Sequence, residues 1–281
     1  MTMNKILIPT DFSENAWNAL TFATALFANE KCHFLLFHVN PIVYTGAENS
    51  VIVPHHMLKE TVIKASQEKL ISWKDKIKKH STNHNHDFET LTVYDFFVDA
   101  IKFQLSETEA DLIVMGTKGA KGLKKVTIGS NTGHVITKIK CPLLAVPENA
   151  HFKGLEQIMF PTDYHTGIEI GVLDNLKEIM DLNNSSLTIV HMVSKEGELL
   201  SKEQNRNKDF LKDYFSNSNH SFKRVVGSRL EEAIQSYAES HQMDMIVMVA
   251  KNQNFIQRIL FRPLVEQISY HINTSFLVLH E

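Results

Sequence analysis

The densest chemistry in the chain lies between Gly116 and Thr132, read as Gly116-Thr-Lys-Gly119-Ala-Lys-Gly122-Leu-Lys-Lys-Val-Thr-Ile-Gly129-Ser130-Asn131-Thr132. Glycine lets a backbone approach a ligand closely and turn through positive φ. Gly129-Ser130 opens an amphipathic stretch, and the first N–H groups of a helix, backed by its dipole, make an anion site. Ser130 and Thr132 add hydroxyls, and Lys118, Lys121, Lys124 and Lys125 supply positive charge with no acidic residue in the stretch. The chemistry this suits is retention of a phosphate chain. The alternative from the residues alone is a glycine loop in which Ser130 merely caps a helix.

A second candidate follows the first apolar run, at Pro9-Thr10-Asp11-Phe12-Ser13. Asp11 has the oxygens to accept ribose hydroxyls or to hold Mg2+, which takes oxygen ligands together with phosphate. Its other reading is a turn or cap shared with Ser13. The dinucleotide fingerprint GxGxxG is absent after that run, and GxxxxGK[ST] occurs nowhere, which sets aside the common dehydrogenase and NTPase classes. The 15 histidines include the close pairs His55-His56 and His84/His86, without CxxC or HExxH, so a metal centre is not expected and the loop histidines read as solvated. His38 and His191 read as packed, hydrogen-bonded histidines. Cys32 and Cys141 read as buried, inert thiols that fit a reducing compartment.

These residues need a frame, and the chain supplies it twice. KILIPTD (5–11) recurs as QIMFPTD (157–163), HFLLFHV (33–39) as LTIVHMV (187–193), DLIVMGTKG (111–119) as DMIVMVAKN (244–252), and ITKIKCPLLAVPE (136–148) as ISYHINTSFLVLHE (268–281). Four collinear matches divide the chain into 1–149 and 150–281, joined by a short polar linker at ProGlu-AsnAlaHis. In the first copy, strands are expected at 6–8, 33–39, 88–93, 112–115 and 143–146. Helices are expected from Ser13 as cap, at about 55–79, from Asp95 as cap through Glu109, and at 130–140. In the second copy, strands fall near 158–160, 187–193, 222–226, 245–249 and 276–279, and helices near 166–180, 201–216, 229–240 and 263–272. Alternation of strand and helix makes each copy an α/β, doubly wound, Rossmann-like domain with parallel strands and helices on both faces.

Composition bounds the rest. The 281 residues carry 29 basic and 32 acidic side chains, a net charge of −3, and 43% hydrophobic residues. Neither nucleic acid nor a membrane surface is an expected partner. No apolar run is long enough to span a bilayer, and Lys5 with its polar neighbours does not read as a leader, so the expected setting is cytoplasmic.

The spacing G-x2-G-x9-G-S at Gly116, Gly119, Gly129 and Ser130 resembles the ATP-binding signature of the universal stress protein family. ILIPTDFS, FHVNP and CPLLAVP extend the resemblance, which covers both copies and suggests a tandem form. It implies a five-stranded parallel sheet of order 3-2-1-4-5 in each copy. It also implies an adenine nucleotide, ATP with ADP or AMP as alternatives, at the strand ends. Carried over to this chain, Asp11 lies beside the nucleotide, and the backbone at Val39 meets the adenine. Gly116 and Gly119 line the ribose and phosphates, while Gly129, Ser130 and Thr132 take the phosphates. Thr10 lines the pocket through its backbone.

The second copy keeps Asp163, but Val249, Asn252, Phe261 and Arg262 replace the glycine–serine pattern, so nucleotide is expected in the first copy only. The resemblance further implies that the copies pair as an internal pseudo-dimer through strands 143–146 and 276–279, with a homodimer of the chain as a further expectation. Three readings of function stand. The leading one is a nucleotide-binding stress or regulatory protein. The others are a slow Mg2+-dependent ATPase or phosphotransfer enzyme, and a scaffold with a vestigial site. All five arginines lie in the second copy, so the first has no arginine finger in cis, and no fast enzyme is expected.

Overall fold

The computed structural model describes residues 4–42, 55–117, 129–165, 167–193, 195, 197–227, 230–250 and 274–281. The first half runs β1 (Lys5–Pro9), α1 (Glu14–Leu26), β2 (His33–Asn40), α2 (His55–His80), β3 (Asp87–Tyr94), α3 (Phe97–Thr108), β4 (Leu112–Gly116), α4 (Ser130–Lys138) and β5 (Leu143–Val146). The second runs β6 (Gln157–Thr162), α5 (Ile170–Asn183), β7 (Ser186–Val193), α6 (Lys202–Tyr214), β8 (His220–Val226), α7 (Leu230–Ser240), β9 (Met245–Val249) and β10 (Ser275–Leu279). The expected helix at 263–272 and most of the loop at 41–54 lie outside the described residues.

The ten strands form one sheet in the order β3-β2-β1-β4-β5-β10-β9-β6-β7-β8. Each half is therefore a parallel five-stranded unit of order 3-2-1-4-5, as expected. The halves join through their last strands, antiparallel, with Phe276 opposite Ala145, Leu277 opposite Leu144 and Val278 opposite Leu143. Because that pairing is antiparallel, the C-terminal strand ends of the two halves face opposite edges of the sheet.

Successive side chains alternate across the sheet and build two cores. Ile6, Ile8, Phe34 and Leu36 join Leu20, Phe27, Leu70 and Ile77 beneath α1 and α2. Leu7, Leu35 and Phe37 join Ile101, Val135 and Ile136 beneath α3 and α4. Each core continues into the second half, the first through Phe160, Leu176 and Phe215 and the second through Met159, Ile234 and Tyr237. The lower edge is finished alike in both halves. Asp111 Oδ2 accepts the N–H groups of Asn4 and Lys5 at 3.1 and 2.9 Å. Asp244 Oδ2 accepts those of Glu156 and Gln157, both at 2.8 Å.

Three local expectations need correction. Phe96, not Asp95, occupies the cap position of α3, because Asp95 Oδ1 is spent on the Phe96 N–H at 2.7 Å. α5 begins at Ile170, four residues later than expected. His86 is buried rather than solvated. Its Nε2 donates to Phe27 O at 3.0 Å and its Nδ1 meets Ser81 Oγ at 2.9 Å, tying the α2–β3 turn to the end of α1. The polar linker is held against α1. Asn18 Nδ2 donates to Pro147 O and Ala150 O at 3.1 and 2.8 Å, and His151 Nδ1 bonds Asn18 Oδ1 at 2.9 Å. Phe152 packs edge-on against Phe22.

Candidate functional site

In a sheet of this order the strand direction of connection reverses between β1 and β4, and ligands bind outside the C-terminal strand ends at that crevice. The described site residues all lie there. Thr10 and Asp11 follow β1, Val39 is the penultimate residue of β2, Gly116 ends β4, and Gly129, Ser130 and Thr132 open α4. Gly119 and the four loop lysines lie outside the described residues.

The turn after β1 is built by its own side chains. Thr10 Oγ1 accepts the Phe12 N–H at 3.0 Å, Asp11 Oδ1 accepts the Ser13 N–H at 3.0 Å, and Ser13 Oγ caps α1 by accepting the Ala16 N–H at 3.2 Å. These bonds hold Phe12 at φ 65, a left-handed conformation that costs a bulky residue about 1–2 kcal/mol. The Phe12 ring rests on His38 at 4.5 Å, and His38 Nδ1 donates to Thr10 O at 2.7 Å. Asp11 thus has a structural role in the turn, whatever else it contacts.

The second half repeats this turn. Thr162 Oγ1 and Asp163 Oδ1 accept the N–H groups of Tyr164 and His165, Tyr164 has φ 56 and stacks on His191, and His191 Nδ1 donates to Thr162 O. The difference is what covers it. Gln204 Nε2 donates to Asp163 O and Asn207 Nδ2 to Tyr164 O, both at 2.8 Å, pinning α6 onto the turn. In the first half α2 meets the turn through Trp73 against Phe12 and Lys69 over the Phe12 ring.

Burial lowers the pKa of His38, His86 and His191 from the ordinary value of 6.5, so all three are neutral near neutrality, as packed histidines should be. The unfolded chain therefore takes up protons first as pH falls below 6.5, and stability falls with it until the folded-state values are reached. Urea unfolding at about pH 7.5 and about pH 5 should show the loss, and the His38→Asn, His191→Asn pair should reduce it, His86 and His280 keeping their share. Burial likewise pushes the Cys32 and Cys141 thiols up to about 12, which leaves them inert.

On the other side of the crevice, Gly129 N–H donates to Thr117 O at 2.5 Å, and Thr117 N–H donates to Val146 O at 3.1 Å. The first bond inside α4 is from Gly133 N to Gly129 O, so helix geometry gives the Ser130, Asn131 and Thr132 N–H groups no acceptor within the helix. Thr132 has its hydroxyl engaged within the protein. It is buried, and its hydroxyl donates to Gly116 O at 2.8 Å, so it fixes α4 against β4 and has only its N–H to offer an anion.

Gly116 is required sterically. A Cβ there would lie 2.8 Å from Asn15 Cγ and 3.0 Å from Asn15 O. Asn15, buried in the first turn of α1, is a site residue the sequence reading missed; nothing in its spacing marks it, because only the fold brings α1 against β4. Gly116→Ala should lower stability by about 1–3 kcal/mol in chemical unfolding, as overpacked positions do.

The sequence model of the universal stress protein family matches residues 2–147. The chain belongs to the universal stress protein family. A family protein of Methanocaldococcus jannaschii is 32% identical over 145 residues, covering 50% of this chain and 81% of the relative. Another, of Bacillus subtilis, is 27% identical over 146 residues, covering 51% and 98%. Among solved structures, a universal stress protein from Archaeoglobus fulgidus matches 100% of this chain and 99% of its own at TM-score 0.70 and 15% identity. A universal stress protein from Pseudomonas aeruginosa matches 99% and 93% at TM-score 0.60 and 12% identity. Those two likenesses concern the fold alone. They extend the family's α/β fold over both halves, whereas the family's sequence match stays with the half that carries the glycine–serine pattern. Among the described residues no helix is long and apolar enough to cross a membrane.

Proposed function

We infer that residues 1–149 form a nucleotide-binding domain and residues 150–281 a degenerate copy of it. The first domain takes ATP, with ADP or AMP as alternatives, and uses it as a conformational or interaction signal. The observation that carries this reading is the start of α4. Gly129, Ser130 and the buried Thr132 aim the first helical N–H groups at the crevice where β1 and β4 part, which suits a phosphate chain. Gly116 lets α1 come close to the end of β4 at that crevice, since a Cβ there would meet Asn15.

Mg2+ would enter with the phosphates, and Asp11 offers a hard oxygen donor just after β1. Bound there, the ion would neutralise phosphate charge that the aspartate would otherwise repel. The absence of arginine from the first copy supports signalling over fast hydrolysis. The pinned turn of the second half and its Phe261-Arg262 in place of Gly129-Ser130 support a single working site.

The chain's two tryptophans, Trp17 and Trp73, pack edge to face at 5.1 Å beside the Phe12 turn, so their emission reports on this region. Titration with ATP, with and without Mg2+, should give a saturable change. Asp11→Asn keeps an acceptor for the Ser13 N–H and should leave stability unchanged while reducing the Mg2+-dependent part of the affinity. Asp11→Ala should also cost about 1 kcal/mol of stability, the net worth of one hydrogen bond. An Asp11→Asn protein with unaltered Mg2+ response would confine Asp11 to the turn.

A further inference from the structure

With phosphates over the start of α4, a nucleotide must extend across the strand ends, and the sheet order puts β1, β2 and β3 in its path. Strands lie about 4.8 Å apart, so the end of β2 is roughly 10 Å from the end of β4. The β3–α3 turn stands immediately beyond. It is tied to the end of β2 by the Asp95 N–H, which donates to Asn40 O at 3.1 Å. The next residue is Phe96, in extended conformation (φ −73, ψ 133) and 50% exposed. Its ring is absent from both core clusters, although its neighbours Phe97 and Val98 pack against one of them beside Val39.

In the second half the Gly227 N–H donates to Val193 O at 3.0 Å, the bond that the Asp95 N–H makes in the first. Gly227 therefore corresponds to Asp95, and the sequence between it and Leu230, where α7 begins, is Ser228-Arg229, one residue longer than in the first half and without an aromatic side chain. The large exposed ring thus accompanies the half with the glycine–serine pattern and is missing from the half without it.

We propose that Phe96 is the platform on which the base of the bound nucleotide stacks, so that this site selects ligands with an aromatic base over bare phosphate chains. The proposal rests on the nucleotide reading. Stacking on an aromatic ring is tolerant of which base is presented, because every base has a π face. The ring therefore adds affinity for nucleotides as a class, and hydrogen bonds from the backbone must choose adenine.

Phe103 provides an internal reference. It is 65% exposed on the same helix, seven residues on, hence about 10 Å further from the strand ends. Isothermal calorimetry with ATP and with inorganic tripolyphosphate would be run on the wild type, Phe96→Ser and Phe103→Ser. Phe96→Ser should weaken ATP about tenfold and leave tripolyphosphate unchanged, and Phe103→Ser should change neither. ATP binding by the wild type that Phe96→Ser leaves intact would overturn the platform and spare the nucleotide reading. An equal loss of ATP and tripolyphosphate would overturn it too, by showing a general effect on the site. A wild type that binds no ATP would overturn both.

Discussion

Gly129→Phe is expected to lower ATP affinity at least about a hundredfold while leaving the fold intact. Gly129 caps α4 at φ −56, a value open to any residue, so the backbone need not change. Its N–H bond to Thr117 O also survives the substitution. What changes is access. A benzyl group at the cap stands beside the N–H groups of Ser130, Asn131 and Thr132, and the second half carries Phe261 at the matching position of its sequence. Hydrogen bonds to charged groups are worth about 1.5–3 kcal/mol each, so losing two of them amounts to about two decades or more in affinity. Calorimetry with ATP, beside urea unfolding of the same protein, separates the two effects. Unchanged ATP affinity would favour a scaffold with a vestigial site.

Leu277→Asp carries the second large effect, on stability. Leu277 lies opposite Leu144 where β5 and β10 join the halves, and both are almost wholly buried. A carboxylate there must either stay charged in an apolar layer or take up a proton, and it leaves a hole as well. The expected loss is about 4 kcal/mol or more, read as a shift of the urea midpoint. A loss below about 1 kcal/mol would mean that the seam contributes little and the halves stand independently.

Much of this architecture was legible because the chain states it twice. The apolar runs of β1, β2 and β4 recur in β6, β7 and β9 with their flanking residues, and paired repeats carry more information than any single window. The PTD repeat also marks the turn, and its threonine and aspartate do the same hydrogen bonding in both halves. What stayed hidden depends on contacts between distant segments. The left-handed Phe12 and Tyr164 carry no turn signature, since neither is glycine nor asparagine. Asn15 matters only because α1 meets β4, and Asn18 only because the linker folds back onto α1. His86 looked like one of several loop histidines until the fold closed around it. Thr132 had the right chemistry for a phosphate, but a nearer acceptor, Gly116 O, takes its hydroxyl.

The linker contacts bear on how a signal would leave the site. The first turns of α1 run from the Ser13 cap and Asn15, at the crevice, to Asn18 and Phe22, which hold Pro147, Ala150 and Phe152. A ligand that shifts the start of α1 therefore acts on the chain between the halves with no intermediate element.

The most direct test of the central claim is nucleotide content. The protein is purified without added nucleotide and denatured, and the released small molecules are identified by chromatography and mass spectrometry against protein concentration. About one adenine nucleotide per chain is the expected result, held by the half that contains Gly116, Gly129 and Ser130. Two per chain would contradict the assignment of a single site. None, together with no binding of added ATP and Mg2+, would contradict the nucleotide reading itself.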